Sequence, residues 1–178
     1  MPPKYELFRG GLVLEYHPRG TLSSLFDRVD FATSFQEESK MWPCQAISAV
    51  ASLHSRSVVH GDIGLHNFLA CNDGRIILCD FAGSGMEGIL PTVAAGVRYS
   101  KPENDQNDYP TEEDDVFALG TVLYELTVHE RLSRAKAVEI FIVTCATRNS
   151  QTCRQSRYHL VESFTSVGLK RDTKPVMR

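Results

Sequence analysis

The chain has 178 residues, 42% hydrophobic and 23% charged, the balance of one globular domain rather than of a disordered segment. Nineteen basic against twenty-two acidic side chains give a net charge of −3, which by itself argues for neither a nucleic acid nor an anionic membrane as the main partner. The charge is unevenly spread, with residues 1–130 summing to −10 and residues 131–178 to +7.

The first apolar run, GLVLEY at 11–16, predicts a strand, and HPRG at 17–20 predicts a turn through its proline and glycine. From Trp42 to His54, apolar positions at Ala46, Ile47, Val50 and Leu53 recur at helical spacing, with His54 on the same face. Pro43 suits the first turn of that helix. Two short apolar runs, NFLAC at 67–71 and IILCD at 76–80, flank Asn72-Asp73-Gly74-Arg75 and predict a β-hairpin. Such a hairpin places Asn67 and Asp80 at outer strand ends, where two side chains can converge on one ligand.

Residues 103–115 carry seven acids and no base, the pattern of a solvated loop. A helix is predicted to follow, with Val116, Leu119, Val122, Leu123 and Leu126 on one stripe and Asp114 or Asp115 as its N-cap. Beyond residue 130 the pattern weakens, and a basic, poorly ordered tail is expected over 141–178. No apolar run reaches the ~18 residues of a membrane span. Glu6 and Arg9 interrupt the stretch where a secretory leader would be apolar, so a cytoplasmic or nuclear protein is expected. Five cysteines, none in a C-x-x-C pair, read as reduced thiols rather than as a disulfide or zinc framework.

The chemistry concentrates in VVHGDIGLHNFL (58–69), CDFAGSG (79–85), GVRYSKPE (96–103) and DDVFALG (114–120). An Asp and an Asn five apart, then an Asp thirteen residues later, supply hard oxygen ligands and a base around one cleft. Magnesium takes one or two carboxylates together with substrate phosphates, so the set suits phosphoryl transfer.

In these segments the sequence resembles the protein kinase family, specifically its large lobe over about residues 12–130. HGDIGLHN resembles the catalytic loop H-R-D-L-x-x-x-N, DFA resembles D-F-G and KPE resembles A-P-E. LVLEYHPRGTL looks like the hinge between the lobes, and DVFALG like the start of the family's buried helix. The resemblance implies an α+β fold: a mainly helical large lobe with a small β-hairpin and the small lobe missing. Residues 1–21 would be the last small-lobe strand and hinge, and 22–140 the partial large lobe.

The resemblance further implies ATP and Mg2+ as cofactors and a protein hydroxyl, of serine/threonine type, as acceptor. Asp62 would take the hydroxyl's proton, and Asn67 and Asp80 would hold magnesium. Leu14, Glu15, His17, Thr21 and Leu69 would line the adenine and ribose side, while His60, Phe81, Glu103 and Asp115 would support the site structurally.

The sequence departs from the family pattern at several positions. Gly61 replaces the arginine that receives an activation-loop phosphate, Gly64 stands where a lysine is common, and Ala82 replaces the glycine of D-F-G. No Gly-rich loop or lysine-glutamate pair precedes the hinge, so weak nucleotide binding and slow catalysis are expected. HGDIGLHN also resembles aminoglycoside and choline phosphotransferases, which leaves a small-molecule acceptor as an alternative. A non-catalytic, pseudokinase-like binding module is another. Neither a membrane nor nucleic acid is expected as a partner, and the basic tail could meet an acidic protein surface.

Overall fold

The computed structural model describes residues 5–8, 11–101, 109–133 and 135–136. Two antiparallel strands, β1 (Tyr5–Phe8) and β2 (Gly11–Leu14), pair with Tyr5 opposite Leu14. The strand predicted over 11–16 therefore ends two residues early, and its partner lies in a segment for which no strand was anticipated. The turn at 17–20 forms as expected, closed by Gly20 N–H donating to the His17 carbonyl at 3.1 Å.

Two short helices follow, α1 (Leu22–Phe26) and α2 (Phe31–Ser34). Thr21 caps α1 by accepting a hydrogen bond from Ser24 N–H at 3.2 Å, which satisfies one of the free donors of a helix start. The α3 helix (Trp42–His54) spans the predicted residues, with Pro43 in its first turn and Trp42, Ala46 and Val50 buried at four-residue spacing. Each large apolar side chain buried in this way contributes ~1.5–3 kcal/mol. Ser57 in the left-handed region (φ 55°) stops the helix, and Val58 N–H donates to the Leu53 carbonyl at 3.1 Å.

Strands β3 (Phe68–Ala70) and β4 (Ile76–Leu78) form the predicted hairpin, with Leu69 opposite Ile77. The α3 helix holds it from beneath: Trp42 Nε1 donates to the Gly74 carbonyl at 2.9 Å, and Ile76 N–H donates to Gln45 Oε1 at 2.8 Å.

The α4 helix (Glu112–Val128) departs from expectation in two ways. Its N-cap is Thr111, not Asp114 or Asp115. Thr111 N–H and Oγ1–H both donate to Asp114 Oδ2, at 2.8 and 2.7 Å, making Asp114 the third helical residue. The last four acids of the run 103–115 thus form a helical turn rather than a loop, with their charge at the positive end of the helix dipole. Second, residues 115–126 are buried on every side, not along one stripe, as a helix running through the centre of a fold must be.

The core lies between α3, α4 and the β3–β4 hairpin, with Phe26, Phe31 and Trp42 clustered beside it; the Phe26 and Phe31 rings are 4.8 Å apart. Among the described residues Cys44, Cys71 and Cys79 are free thiols, and no helix is long and apolar enough to cross a membrane. Among the described residues the architecture is α+β with two antiparallel strand pairs rather than one hairpin. The tail over 141–178 and Glu103 lie outside the described residues.

Candidate active site

The loop between α3 and β3 is built on a carboxylate that arrives from far along the chain. Asp115, 1% exposed, accepts from His60 N–H at 2.8 Å, Gly61 N–H at 2.9 Å and His54 Nε2–H at 3.0 Å. A buried ion is tolerated when its lone pairs are filled in this way. The loop bends sharply at Gly61, whose φ is +84°; a Cβ there would stand 2.8 Å from the Val93 carbonyl oxygen. The arginine of the family pattern has no space in this conformation.

His60, fully buried, is held at both ring nitrogens. Its Nε2–H donates to the Cys79 carbonyl at 3.0 Å, while Nδ1 accepts from Asp62 N–H at 3.2 Å. The two partners together define the tautomer, since a carbonyl only accepts and an amide N–H only donates. Phe81 packs edge-on against this ring, with centroids 5.1 Å apart. His60 therefore bridges the loop that carries Asp62 and the segment that carries Asp80.

Asp62 is half-buried. Asn67 Nδ2 donates to the Asp62 carbonyl at 2.8 Å and to its Oδ2 at 3.1 Å, and His66 Nε2 lies 3.0 Å from the same Oδ2. Asn67, 5% exposed, is fixed in turn by its backbone. Its N–H donates to the Gly64 carbonyl at 3.0 Å, and its carbonyl accepts from Cys79 N–H at 2.9 Å. That last bond brings residue 79, and with it Asp80, alongside Asn67. Burial, then the neighbouring Asp80 charge, pushes the Cys79 thiol up from its ordinary value, and the protonated Sγ donates to the Asn67 carbonyl at 3.3 Å. Asp80 is exposed and adopts the left-handed region, φ 63°; it is Asp80, not Ala82, that takes the positive φ of this segment.

The remaining candidates separate into two groups. Thr21 and Leu69 meet as an isolated antiparallel bridge, so the start of α1 is joined to β3, and the Thr21 hydroxyl is engaged in capping. Leu14 at the end of β2 is 61% exposed, Glu15 is exposed and His17 half-buried. Among the described residues, the hydrogen bonds that gather Asp62, Asn67 and His60 do not extend to these three.

Sequence reasoning left out a second support. Leu65 N–H donates to Tyr99 Oη at 3.4 Å, and Tyr99 Oη–H donates to Glu125 Oε2 at 2.9 Å. Glu125, fully buried, also accepts from Leu132 N–H at 3.0 Å. Arg98 and Arg131 lie 3.6 and 3.8 Å from its two oxygens. Burial pushes the Glu125 carboxyl above its ordinary value, against the pull of these partners. Burial likewise raises the Tyr99 hydroxyl, aided by the Glu125 charge. The sequence signal was a lone acid inside the apolar run VLYEL.

The donor set fits magnesium. With its amide nitrogen engaged on Asp62, Asn67 has its side-chain Oδ1 left to offer a cation, and Asp80, next in the chain to the residue bonded to the Asn67 backbone carbonyl, can add a carboxylate. Two oxygen donors suffice for an ion that keeps several waters and takes the rest from phosphates. Among the described residues no three His, Cys, Asp or Glu side chains gather as a closed metal site.

The chain is similar in sequence to known protein kinases. The chain is 32% identical over 117 residues to serine/threonine-protein kinase 1 of Lymantria dispar multicapsid nuclear polyhedrosis virus, covering 65% of this chain and 42% of that one. It is 34% identical over 128 residues to CBL-interacting protein kinase 25 of Oryza sativa subsp. japonica, covering 68% and 24%. With the Aurora kinase of Schizosaccharomyces pombe it shares 32% over 120 residues, covering 66% and 33%. The chain thus spans between about a quarter and two fifths of the length of these relatives. The family model described as protein kinase domain matches residues 6–169, nearly the whole sequence, and the chain belongs to the protein kinase family.

Proposed function

We propose that the chain carries the phosphoryl-transfer centre of a protein kinase of serine/threonine type, acting with Mg-ATP on a protein hydroxyl. The observation that carries the reading is the tie from Asn67 Nδ2 to both the backbone and the carboxylate of Asp62. One amide orients the candidate base with its nitrogen and has its oxygen left for a cation.

Asp62 takes the proton of the acceptor hydroxyl, and Asn67 and Asp80 hold the metal. Magnesium, when bound, neutralises charge on the transferring phosphoryl group. The chain supplies position: Asp115 fixes the loop's bend and His60 fixes the spacing between Asp62 and the Asp80 segment. Positioning and electrostatics account for most of the rate in this chemistry. Leu14, Glu15, His17 and Leu69 line the adenine side and Thr21 the ribose side in this reading. It is supported by the Thr21–Leu69 bridge, which joins the chain after the hinge segment to the strand that leads away from Asn67.

The test is transfer of labelled phosphate from Mg-ATP to casein, with amino-alcohols and aminoglycosides offered in parallel. Asp62→Asn is expected to lower transfer by about 10²–10⁴-fold, the range for loss of a positioned base. Asp80→Asn is expected to abolish the rise in melting temperature that Mg-ATP gives a chain that binds it. Transfer to casein that is indifferent to Asp62 would sink the reading, and transfer confined to the small acceptors would reassign the substrate.

A further inference from the structure

Asp62 receives two donors on one of its two oxygens. His66 Nε2 and Asn67 Nδ2 lie 3.0 and 3.1 Å from Oδ2, and neither bond is made to Oδ1. The His66 side chain is 43% exposed, so burial does not account for its placement. The account lies in Gly64: a Cβ there would stand 2.5 Å from His66 Cε1, 2.6 Å from His66 Nδ1 and 2.9 Å from Tyr99 Cε2. The φ of Gly64 is −174°, extended backbone that any residue adopts, so a side chain at 64 would strain no torsion but would displace the His66 ring. Tyr99 is the ring's other neighbour, with centroids 6.0 Å apart, and its own hydroxyl is anchored on Glu125.

We propose that His66 is a positioning residue for the phosphoryl transfer, and that Gly64 is the seat that lets its ring reach Asp62. The inference rests on the reading of Asp62 as the proton acceptor. His66 Nε2–H and Asn67 Nδ2–H pin Oδ2 from two sides and leave Oδ1 as the oxygen presented to the acceptor hydroxyl. The hydroxyl proton passes to Oδ1 as its oxygen bonds to the γ-phosphorus. The bond from that phosphorus to the bridging oxygen breaks, and ADP departs with the bonding electron pair. A carboxylate held in one rotation delivers Oδ1 to that proton, whereas a freely turning one is in position only part of the time. Position 64 and position 66 thus form one unit: a side chain at 64 and the imidazole at 66 compete for the same volume.

The experiment compares His66→Leu, His66→Gln, Gly64→Ala and the Gly64→Ala/His66→Leu double variant in the 178-residue chain. Transfer from Mg-ATP to casein is read beside the side-chain carboxyl ¹³C resonance of Asp62 at one fixed pH. His66→Leu and Gly64→Ala should each lower kcat about tenfold with KM for ATP and casein within about twofold, and the double variant should fall no further. His66→Gln, which keeps an N–H donor, should recover most of the loss. The Asp62 resonance should move in the first two variants and return in His66→Gln. An unmoved resonance in His66→Leu overturns the proposal whatever the transfer assay gives, and so does a full multiplicative loss in the double variant. Transfer that survives Asp62→Asn, with the resonance behaving as stated, overturns the reading of Asp62 as base while leaving the His66 contact standing.

Discussion

At the scale of single residues, Gly61 shows how a substitution in a motif can be read in two ways. From the sequence it is a missing arginine, and with it a missing phosphate receptor. In the structure it is a bend with φ +84° packed against the Val93 carbonyl. The left-handed torsion costs an L-residue ~1–2 kcal/mol, and displacing a carbonyl adds to that. Gly61→Ala should therefore lower the unfolding free energy, measured by urea denaturation, by at least this torsional cost; an unchanged midpoint would show that the loop relaxes freely. The order H-G-D-x-x-x-x-N was legible because motif spacing survives without tertiary information. The His66–Asp62 contact was not, because the loop containing these residues is not a regular α-helix and no face rule applies to it.

At the scale of elements, α3 and the β3–β4 hairpin were legible because each carries its own periodicity and its own breaker, Pro43 and the Asp73–Gly74 turn. The start of α4 was misread because Asp114, Asp115 and Thr111 are all residue types that cap helices, and only geometry shows that Thr111 is the cap and Asp114 its third-residue partner. Removing the Thr111 side chain by Thr111→Ala should cost ~1 kcal/mol of stability, the usual value of a helix N-cap, measured by chemical denaturation; Thr111→Ser, which keeps the capping hydroxyl, is the control. The α1 and α2 helices, five and four residues long, complete too few turns to show a period. Their position follows from tertiary burial of Leu22, Leu25, Phe26 and Phe31.

At the scale of the whole molecule, Glu125 is a hub. It joins α4 to the Asp62 loop through Tyr99, and to α1 through Arg131, which donates to Asp27 Oδ1 at 2.8 Å and to the Ser23 carbonyl at 3.1 Å. The same Arg131 guanidinium lies 4.9 Å from the centre of the Phe26 ring. Burial raises the Glu125 carboxyl above its ordinary 4.5 in the folded chain, so the native state holds this proton more tightly than the unfolded chain does. The resulting stabilisation is complete below the ordinary value and is lost as pH rises through the raised one. Glutamine does not titrate, so the stability of the native protein relative to Glu125→Gln should decline from about pH 4 upward. A difference that is flat with pH, measured by urea unfolding, would show that the arginines cancel the cost of burial.

The carboxylate of Asp115 has a consequence for backbone motion. The amides of His60 and Gly61 are bonded to a side chain 55 and 54 residues further along, not to a neighbouring turn. An opening confined to the loop would strand a buried anion without its donors, at a cost of several kcal/mol. In heavy water these two amides should therefore take up deuterium together, at the rate at which the central helix undocks, while the amides of residues 55–57, at the exposed start of the same loop, exchange faster. The segment that carries the candidate base keeps time with the core of the protein rather than with its surface.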